Sequence, residues 1–344
     1  MRRVKCFAWL WAVAFLVLSL PQALAGEGAK TSMARVGEYV ISGPYTHNNL
    51  SIFLIHGADK LKDKTFLTLD EALAQKVAVV YETGEVSELA VENKSPTVYV
   101  YVQSGVIVKG GKQDRTIQHD MIVPPRSGKV PVGSFCVESA RWSQRGGESA
   151  AAFGSASSNL STKELKLAAK QAGDQQAVWN NVAKAQKELS LNLGSEVASG
   201  ESRSSLQLTL ENDKLRTAAA EYTAALSKVT AGKTDVVGYA FAVNGEINSA
   251  DIYGSKALFD KLWPSLLNAS AVEAIAKQRK GSFAEPTADA VKALIEDAEK
   301  GKAVEKNLSD DARMVTQETE KSILFKYRDA KVGPAAVRME YLAY

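Results

Sequence analysis

Residues 98–137 read VYVYVQSGVIVKGGKQDRTIQHDMIVPPRSGKVPVGSFCV, and this stretch decides the fold. Valine alternates with tyrosine at its start, which is typical of a β-strand. Two further strands are predicted at Arg115–Val123 and Val130–Val137, on either side of the turn sequence PPRSG. A turn this short favours antiparallel pairing, so the start of the first strand should lie beside the end of the second.

Short apolar runs before this stretch predict additional strands, at residues 36–41, 51–55, 77–81 and 86–91. The turn residues at 92–96 predict a hairpin that joins the strand at 86–91 to the one starting at Val98. Thr68, followed three residues later by Glu71, predicts a short capped helix. Many short strands at close spacing are typical of an antiparallel sandwich or barrel-like sheet.

The sequence pattern changes after Gly146, and we predict a helical insertion at about 160–232. Strands return at 235–253, where Asn244-Gly245 is a strong hairpin signal. Helices at 255–277 and 287–300 follow, and then strands at 322–327 and 337–341. The late strands should pair with the early sheet. We therefore predict one α+β domain over residues 36–344, with a β-rich antiparallel sheet core, the helical insertion, and C-terminal helices and strands.

Residues 1–25 have the three parts of a secretory signal peptide. Arg2, Arg3 and Lys5 precede an apolar run from Phe7 to Leu20, and small residues lead up to Ala25. Cleavage near Ala25 would leave a soluble protein, secreted or periplasmic, without a stable membrane anchor. Residues 26–35 are small and polar, and we expect them to be flexible.

The charge balance argues against nucleic acid or an anionic membrane as a partner. The chain has 42 Lys and Arg against 39 Asp and Glu, but the predicted signal holds three of the cations and no acid, so the remainder is neutral. Of the two cysteines, Cys6 and Cys136, only the second lies outside the signal, which excludes an internal disulfide. His47, His56 and His119 lack metal-ligand spacing, and the sequence has no dinucleotide motif, so we predict neither a metal nor a cofactor.

The densest polar segment is the loop KGGKQDR at residues 109–115. Paired glycines allow a close approach of the backbone to a ligand, and the cations could hold an anion. The spacing does not match a nucleoside-triphosphate loop, because an extra glycine precedes the lysine and a glutamine follows it. The alternative is a tight turn with solvated charges. The candidate ligand-binding residues here are Gly110, Gly111, Lys112, Gln113 and Arg115, and Asp114 is a candidate catalytic residue.

The second candidate segment is SFCVE at residues 134–138, which Arg141 and Trp142 follow. Cys136 and Glu138 would share one face of a strand, so this face could border a cleft in which Glu138 is catalytic and Arg141 and Trp142 bind the ligand. Alternatively, Cys136 is a small buried hydrophobe and Glu138 forms a structural ion pair with Arg141. We expect Cys136 to be buried and not to act as a catalytic thiolate.

The charged residues of these two segments are expected to form one polar site, made of Lys112, Asp114, Arg115, Glu138 and Arg141. Charges in a strand-rich segment must be solvated at an edge or paired with each other, and antiparallel pairing would bring the two segments together. Polar residues also interrupt the later strand at 246–253. Asn248 and Asp251 there are further candidates for ligand binding, or they satisfy the backbone at a turn.

Taken together, these motifs resemble a domain family named for its association with ADP-ribosylglycohydrolases and rhodanese/phosphatase-superfamily proteins. The resemblance covers about residues 36–277 and rests on Ile41–Tyr45, Gln103–Gly105, Gly110–Arg115, Ser134–Glu138 with Arg141-Trp142, and Asn248–Asp251. It implies a link to ADP-ribose or nucleotide chemistry through gene association, which is an associational argument. An export signal does not fit cytoplasmic nucleotide chemistry.

Three functions are compatible with these residues. The first is an exported binding protein, whose Lys112, Arg115 and Arg141 hold a small phosphate- or carboxylate-bearing ligand. The second is a hydrolase of a nucleotide- or ADP-ribose-like substrate, with Glu138 or Asp114 as general base. The third is a structural or partner-binding envelope protein. Convergence of the charged residues in one concave pocket would favour the first two.

Overall fold

The computed structural model of the chain describes residue 1, residues 32–156 and residues 162–344. Except for Met1, the predicted signal peptide lies outside the described residues, as do residues 26–31. Thr31–Tyr344 form one compact unit.

The chain has an α+β fold, as predicted. Its strands are β1 (Ser32–Val36), β2 (Tyr39–His47), β3 (Leu50–His56), β4 (Phe66–Thr68), β5 (Ala78–Glu82), β6 (Glu88–Asn93), β7 (Tyr99–Val102), β8 (Ile107–Gly110), β9 (Arg115–Ile117), β10 (Met121–Val123), β11 (Lys129–Cys136), β12 (Ala152–Gly154), β13 (Val236–Val243), β14 (Glu246–Tyr253), β15 (Lys302–Asn307), β16 (Ala312–Glu318), β17 (Ser322–Asp329) and β18 (Ala336–Ala343). Its α-helices are α1 (Leu69–Ala74), α2 (Lys163–Leu167), α3 (Gln175–Leu193), α4 (Leu206–Leu210), α5 (Asp213–Leu226), α6 (Lys256–Ala276) and α7 (Ala288–Ala298). A π-helical segment, Ala168–Ala172, continues α2, and a 3₁₀ turn, Ser227–Thr230, follows α5.

The largest element is a nine-stranded antiparallel sheet. Its strand order is β1-β2-β3-β13-β14-β18-β17-β16-β15. The β3 and β13 strands pair from His56↔Val236 to Leu50↔Val243, so the late strands do join the early ones. Asn244 and Gly245 both have positive φ, at 53° and 83°, as the tight β13–β14 hairpin requires.

Strand β3 shows why the central strands of the sheet have continuous apolar sequences. Leu50, Ile52 and Leu54 lie in the large core that the sheet shares with helix α6 and the barrel strands. Phe53 and Ile55 belong to a second core on the opposite face, where helix α7 packs. Because successive side chains point to opposite faces, a strand covered on both sides must be apolar throughout.

Strands β11-β6-β5-β12-β8-β9 form a closed barrel, and β10-β7-β4 form a separate small sheet. The predicted strand 115–123 is therefore interrupted: β9 pairs with β11 in the barrel, whereas β10 pairs with β7. The predicted hairpin at 92–96 is wrong, because β6 pairs with β5 and β11 and does not pair with β7. The Asn93 amide redirects the chain there, since its Nδ2 donates to the carbonyls of Val98 and Val123.

Residues 32–35, which we predicted to be flexible, lie in strand β1. They pair with β2, and Ala34 and Val36 are buried in the core under α7, which the composition of the segment did not suggest. In the described residues, no helix has the length and apolar character needed to cross a membrane.

Candidate functional site

The two predicted polar segments do meet at the end of the β9–β11 pair. Arg115 lies opposite Cys136, and the Val137 amide donates to the Asp114 carbonyl over 2.9 Å. The Asp114 amide in turn donates to Glu138 Oε2 over 3.1 Å. Antiparallel pairing of β9 with β11 therefore places Asp114 beside Glu138, as the sequence predicted, although β10 lies between these two strands in the chain and pairs elsewhere.

Asp114, Glu138, Arg141 and Arg145 form a buried ion-pair network, which we call the Asp114 cluster. Arg145 donates from Nη1 to Asp114 Oδ2 at 3.0 Å and from Nη2 to Oδ1 at 2.9 Å. Arg141 Nε donates to both oxygens of Glu138 at 2.9 Å. Both carboxylates have no exposed surface. Glu138 and Arg141 thus form the ion pair that we had weighed as the alternative to a cleft.

Polar groups of the helical insertion complete the cluster. Ser205, the N-cap of α4, donates to Asp114 Oδ2 at 2.8 Å, and Ser202 donates to Glu138 Oε1. Although burial opposes it, the hydrogen bonds from Arg141, Ser202 and the Asp114 amide hold the pKa of Glu138 below its ordinary value. A general base needs a free lone pair within reach of a substrate proton. Protein donors surround both carboxylates here, so the cluster has the features of a cross-link between barrel and insertion.

Arg115 does not join the Asp114 cluster. Its guanidinium donates from Nη1 to the Val86 carbonyl at 3.0 Å, contacts Cys136 Sγ, and lies 3.6 Å from Glu82 Oε2 through Nη2. Adjacent residues of a strand point to opposite faces, and Arg115 follows Asp114 directly. The expectation that Arg115 would share the Glu138 site is therefore wrong. Arg115 Nε and Nη2 make no hydrogen bond to the described residues.

The glycine pair of the loop serves packing. Gly111 has a φ of 56°, and a Cβ atom there would lie 2.2 Å from Cζ of the Phe153 ring on β12. Gln113 is buried and donates from Nε2 to the Glu138 carbonyl at 2.7 Å. Lys112 Nζ lies 5.0 Å from the ring centroid of Trp142, which is 47% exposed. The loop connects β8, which ends at Gly110, to β9, and Gly111 allows it to pack against the Phe153 ring of the barrel.

Asp251 belongs to a second buried network, the Arg338 cluster. Arg338 donates from Nε to Asp251 at 2.8 Å, from Nη2 to Glu340 at 2.7 Å and from Nη1 to Asp120 at 3.2 Å. Lys170 on the π-helical segment donates to Glu340 and, at 3.0 Å, to the Ser104 hydroxyl. Burial alone would raise the pKa of Glu340, but Arg338 and Lys170 hold it well below its usual range. The nine-stranded sheet, the π-helix and the segment after β7 meet at this cluster.

Sequence reasoning missed most members of the Arg338 cluster. Arg338 and Glu340 are 87 and 89 positions from Asp251 along the chain, and only the β14–β18 ladder makes them neighbours. Asn248, the other candidate in β14, joins neither cluster. It donates to Glu273 Oε1 at 2.6 Å, and its Oδ1 has no partner among the described residues.

Cys136 is buried, as predicted. Burial raises the pKa of its thiol to about 11, and the nearby Arg115 offsets this only in part. The buried His119 is not hydrogen-bonded to Cys136: burial and Lys170 lower the pKa of His119 to about 3, and neither ring nitrogen has a hydrogen-bond partner in the described chain. Across residues 32–156 and 162–344, no group of three or more His, Cys, Asp or Glu is arranged to hold a metal ion.

An open pocket of about 350 Å³ lies on the α7 face of the nine-stranded sheet, and we call it the Lys326 pocket. Three cations line it: Lys60, Lys326 and Arg328. Lys60 pairs with Glu38, and the other acid of the pocket, Glu299, accepts a hydrogen bond from Tyr341. Lys326 is half-buried, and in the described residues neither it nor Arg328 has an ion-pair partner within 4.0 Å. The pocket therefore holds two cations that are available to an anion.

The fold and the sites together define an α+β protein with mainly antiparallel sheets. Its polar sequence motifs form two internal charge networks, and the Lys326 pocket lies apart from both, on the α7 face of the nine-stranded sheet. The family model of the ARG and Rhodanese-Phosphatase-superfamily-associated Protein domain (ARPP-1) matches residues 38–335, and the chain belongs to this family. The resemblance inferred from the motifs is thus confirmed, and it extends beyond residue 277 into the late helices and strands. Comparisons with curated proteins and with solved structures found no match.

Proposed function

We propose that the chain is an exported, soluble protein that binds a small molecule carrying a phosphate or carboxylate group in the Lys326 pocket. The observation that carries the proposal is the half-buried ammonium group of Lys326, which has no ion-pair partner among the described residues. Burial lowers the pKa of Lys326; the carboxylate of Glu299 offsets part of this effect, and the positive charges of Arg328 and Lys60 lower the pKa further. An uncompensated cation in a partly desolvated pocket is unfavourable, and a bound anion would relieve that cost.

The pocket's size and walls suit a small organic anion. Its volume of about 350 Å³ lies at the lower end of the roughly 300–1,000 Å³ typical of small-molecule sites. Ile252, Ile295 and Met339 give it an apolar wall, and Tyr39 adds an aromatic ring. A ligand with one anionic group and a compact body would place the charge at Lys326 and Arg328 and the body against this wall.

The first test compares Lys326→Met and Arg328→Gln with the unmodified protein in calorimetric titrations with inorganic phosphate, succinate and AMP. Charge-assisted hydrogen bonds contribute about 1.5–3 kcal/mol, so each substitution should weaken binding of the preferred anion about tenfold or more. Without ligand, Lys326→Met should be at least as stable as the unmodified protein, because it removes an unpaired, partly buried charge.

Lys187→Gln is the matched control, because it removes one positive charge from the exposed face of α3. The Lys187→Gln protein should bind the anion as tightly as the unmodified protein does. The proposal fails if none of the three anions binds, or if Lys326→Met and Lys187→Gln bind equally well.

Export rests on the pattern of residues 1–25 and has a separate test. When the full-length chain is expressed in a Gram-negative host, the periplasmic fraction should contain a protein whose N-terminal sequence begins near Gly26. Replacement of Leu16 and Leu18 by Arg should abolish processing, since it interrupts the apolar run. Recovery of uncleaved protein in the cytoplasm would contradict export.

A further inference from the structure

A second cavity, of about 160 Å³, lies between helix α1, helix α6 and the end of strand β7. We call it the Gln103 cavity, after the buried residue at its inner end. It is separate from the Lys326 pocket, and the two share no lining residue. Gln103 belongs to the Gln103-Ser104-Gly105 motif, which the function proposed above does not use.

Gln103 presents an unsatisfied donor to this cavity. The residue is 1% exposed, and its Nε2 has no hydrogen-bond partner among the described residues. Its Oε1 accepts a hydrogen bond from the Tyr253 hydroxyl at 3.3 Å, which orients the amide. A buried amide N–H without an acceptor is destabilising, so an acceptor in the cavity would stabilise the protein.

The outer end of the cavity is also polar. Lys261 on α6 donates to Glu71 Oε2 at 2.9 Å and to the Phe66 carbonyl at 2.8 Å, and Asp70 also lines the cavity. The half-buried Ser265 hydroxyl makes no hydrogen bond to the described part of the chain. Leu69, Val106 and Leu262 line the space between the two ends.

We propose that the Gln103 cavity binds a small uncharged polyol of three or four carbons. Lys261 is already paired with Glu71, which disfavours an anion, and the unpartnered N–H group of Gln103 disfavours a cation. A hydroxyl group suits both ends, since it accepts from Gln103 Nε2 and donates to a carboxylate or to Ser265. A cavity of about 150 Å³ accommodates a molecule of six heavy atoms, which is the size of glycerol.

The test measures saturation transfer from the protein to glycerol and to erythritol by ligand-observed NMR. The unmodified protein should give a signal with at least one of them. Gln103→Leu, which removes the amide but keeps its approximate size, should reduce the signal at least fivefold. Lys326→Met should leave it unchanged, because that residue lies in the other pocket.

Ser265→Ala guards against a folding defect in the Gln103 variant. Ser265 is half-buried and makes no side-chain hydrogen bond to the described residues, so its replacement should leave the melting temperature unchanged while it weakens the polyol signal. Absence of a signal from the unmodified protein, or equal signals from the unmodified protein and both cavity variants, would show that the cavity holds only water and would overturn the proposal.

Discussion

At the scale of single residues, chain neighbours have different environments. Asp114 accepts hydrogen bonds from Arg145 and Ser205, whereas Arg115, one residue later, points toward Cys136 and Glu82. The strand period of two separates them, although both occupy one charged loop in the sequence. The sequence therefore identified the charged residues correctly, but it predicted Glu138 as a partner of Arg115, which instead contacts Cys136 and Glu82.

Cys136 gives a prediction at this scale. Burial raises its thiol pKa to about 11, so at pH 8 only about one thiol in a thousand would be the reactive thiolate. We expect a maleimide reagent to modify Cys136 slowly in the folded protein and rapidly in urea, as measured by peptide mass spectrometry. Rapid modification of the folded protein would show that the thiol is accessible and would contradict its structural role.

At the scale of elements, local signals were reliable where a side chain contacts its own backbone. Thr68 and Glu71 form the capping box of α1 that their spacing predicts. Asn244-Gly245 forms the tight β13–β14 turn for a different local reason, since both residues adopt the positive φ that this turn requires. Such elements depend on a few consecutive residues, which is why the sequence alone identifies them.

The interruption of the predicted strand 115–123 had a cause outside the element. Residues 118–120 leave the barrel between β9 and β10, and Asp120 there accepts hydrogen bonds from Tyr101 and Arg338. The π-helical segment similarly places Lys170 against Glu340. Both irregularities bring a charged side chain to the Arg338 cluster. Short π-helical segments are frequently found at functional sites.

At the scale of the whole molecule, the Arg338 cluster connects the nine-stranded sheet to the rest of the fold. Asp251 and Glu340 lie directly opposite each other in the β14–β18 ladder, an arrangement of like charges that is unfavourable alone. Arg338 contacts both carboxylates as well as Asp120, and Lys166 and Lys170 add two further positive charges beside Glu340. Loss of Arg338 would therefore leave Asp251 buried without its ion-pair partner.

Arg338→Met tests this role. Removing one partner of a buried charge network costs about 3–5 kcal/mol, so the free energy of unfolding in urea should fall by that amount at pH 7. Arg313→Met is the control, since Arg313 is 59% exposed and its loss should change stability by less than about 0.5 kcal/mol.

The effect of Arg338→Met should depend on pH. In the unmodified protein the pKa of Glu340 is held well below its ordinary value, so its stabilising contribution is present above the unfolded pKa and is lost as the pH falls through the folded one. Without Arg338, Glu340 keeps Lys166 and Lys170 as partners, whereas Asp251 loses its ion-pair partner among the described residues. Burial already raises the pKa of Asp251 and Arg338 lowers it in part, so in the variant this pKa rises further and protonation relieves the orphaned charge at mild acidity. The stability difference between the two proteins should therefore narrow between pH 7 and pH 5, and a constant difference would contradict this account.

The sequence by itself was sufficient for the fold class, the family, most strands and helices, and the meeting of Asp114 with Glu138. The fold class and most strands and helices follow from short-range physics, namely strand and helix periodicity and local caps, and the family follows from the combination of motifs. Asp114 meets Glu138 because β9 pairs antiparallel with β11, although β10, next to the five-residue turn, pairs with β7. The sequence did not predict the edge hairpin β15–β16, because every residue of β15 is exposed and its charged sequence has no apolar period.

Only the tertiary structure decided what the polar motifs do. The partners that complete the Asp114 cluster come from Arg145 and from the helical insertion, and those of Asp251 come from strand β18. The Lys326 pocket likewise collects residues from both ends of the sheet and from α7. Contacts between residues separated by dozens or hundreds of positions depend on sheet order and on which face is covered, and neither quantity is encoded in any local stretch of sequence.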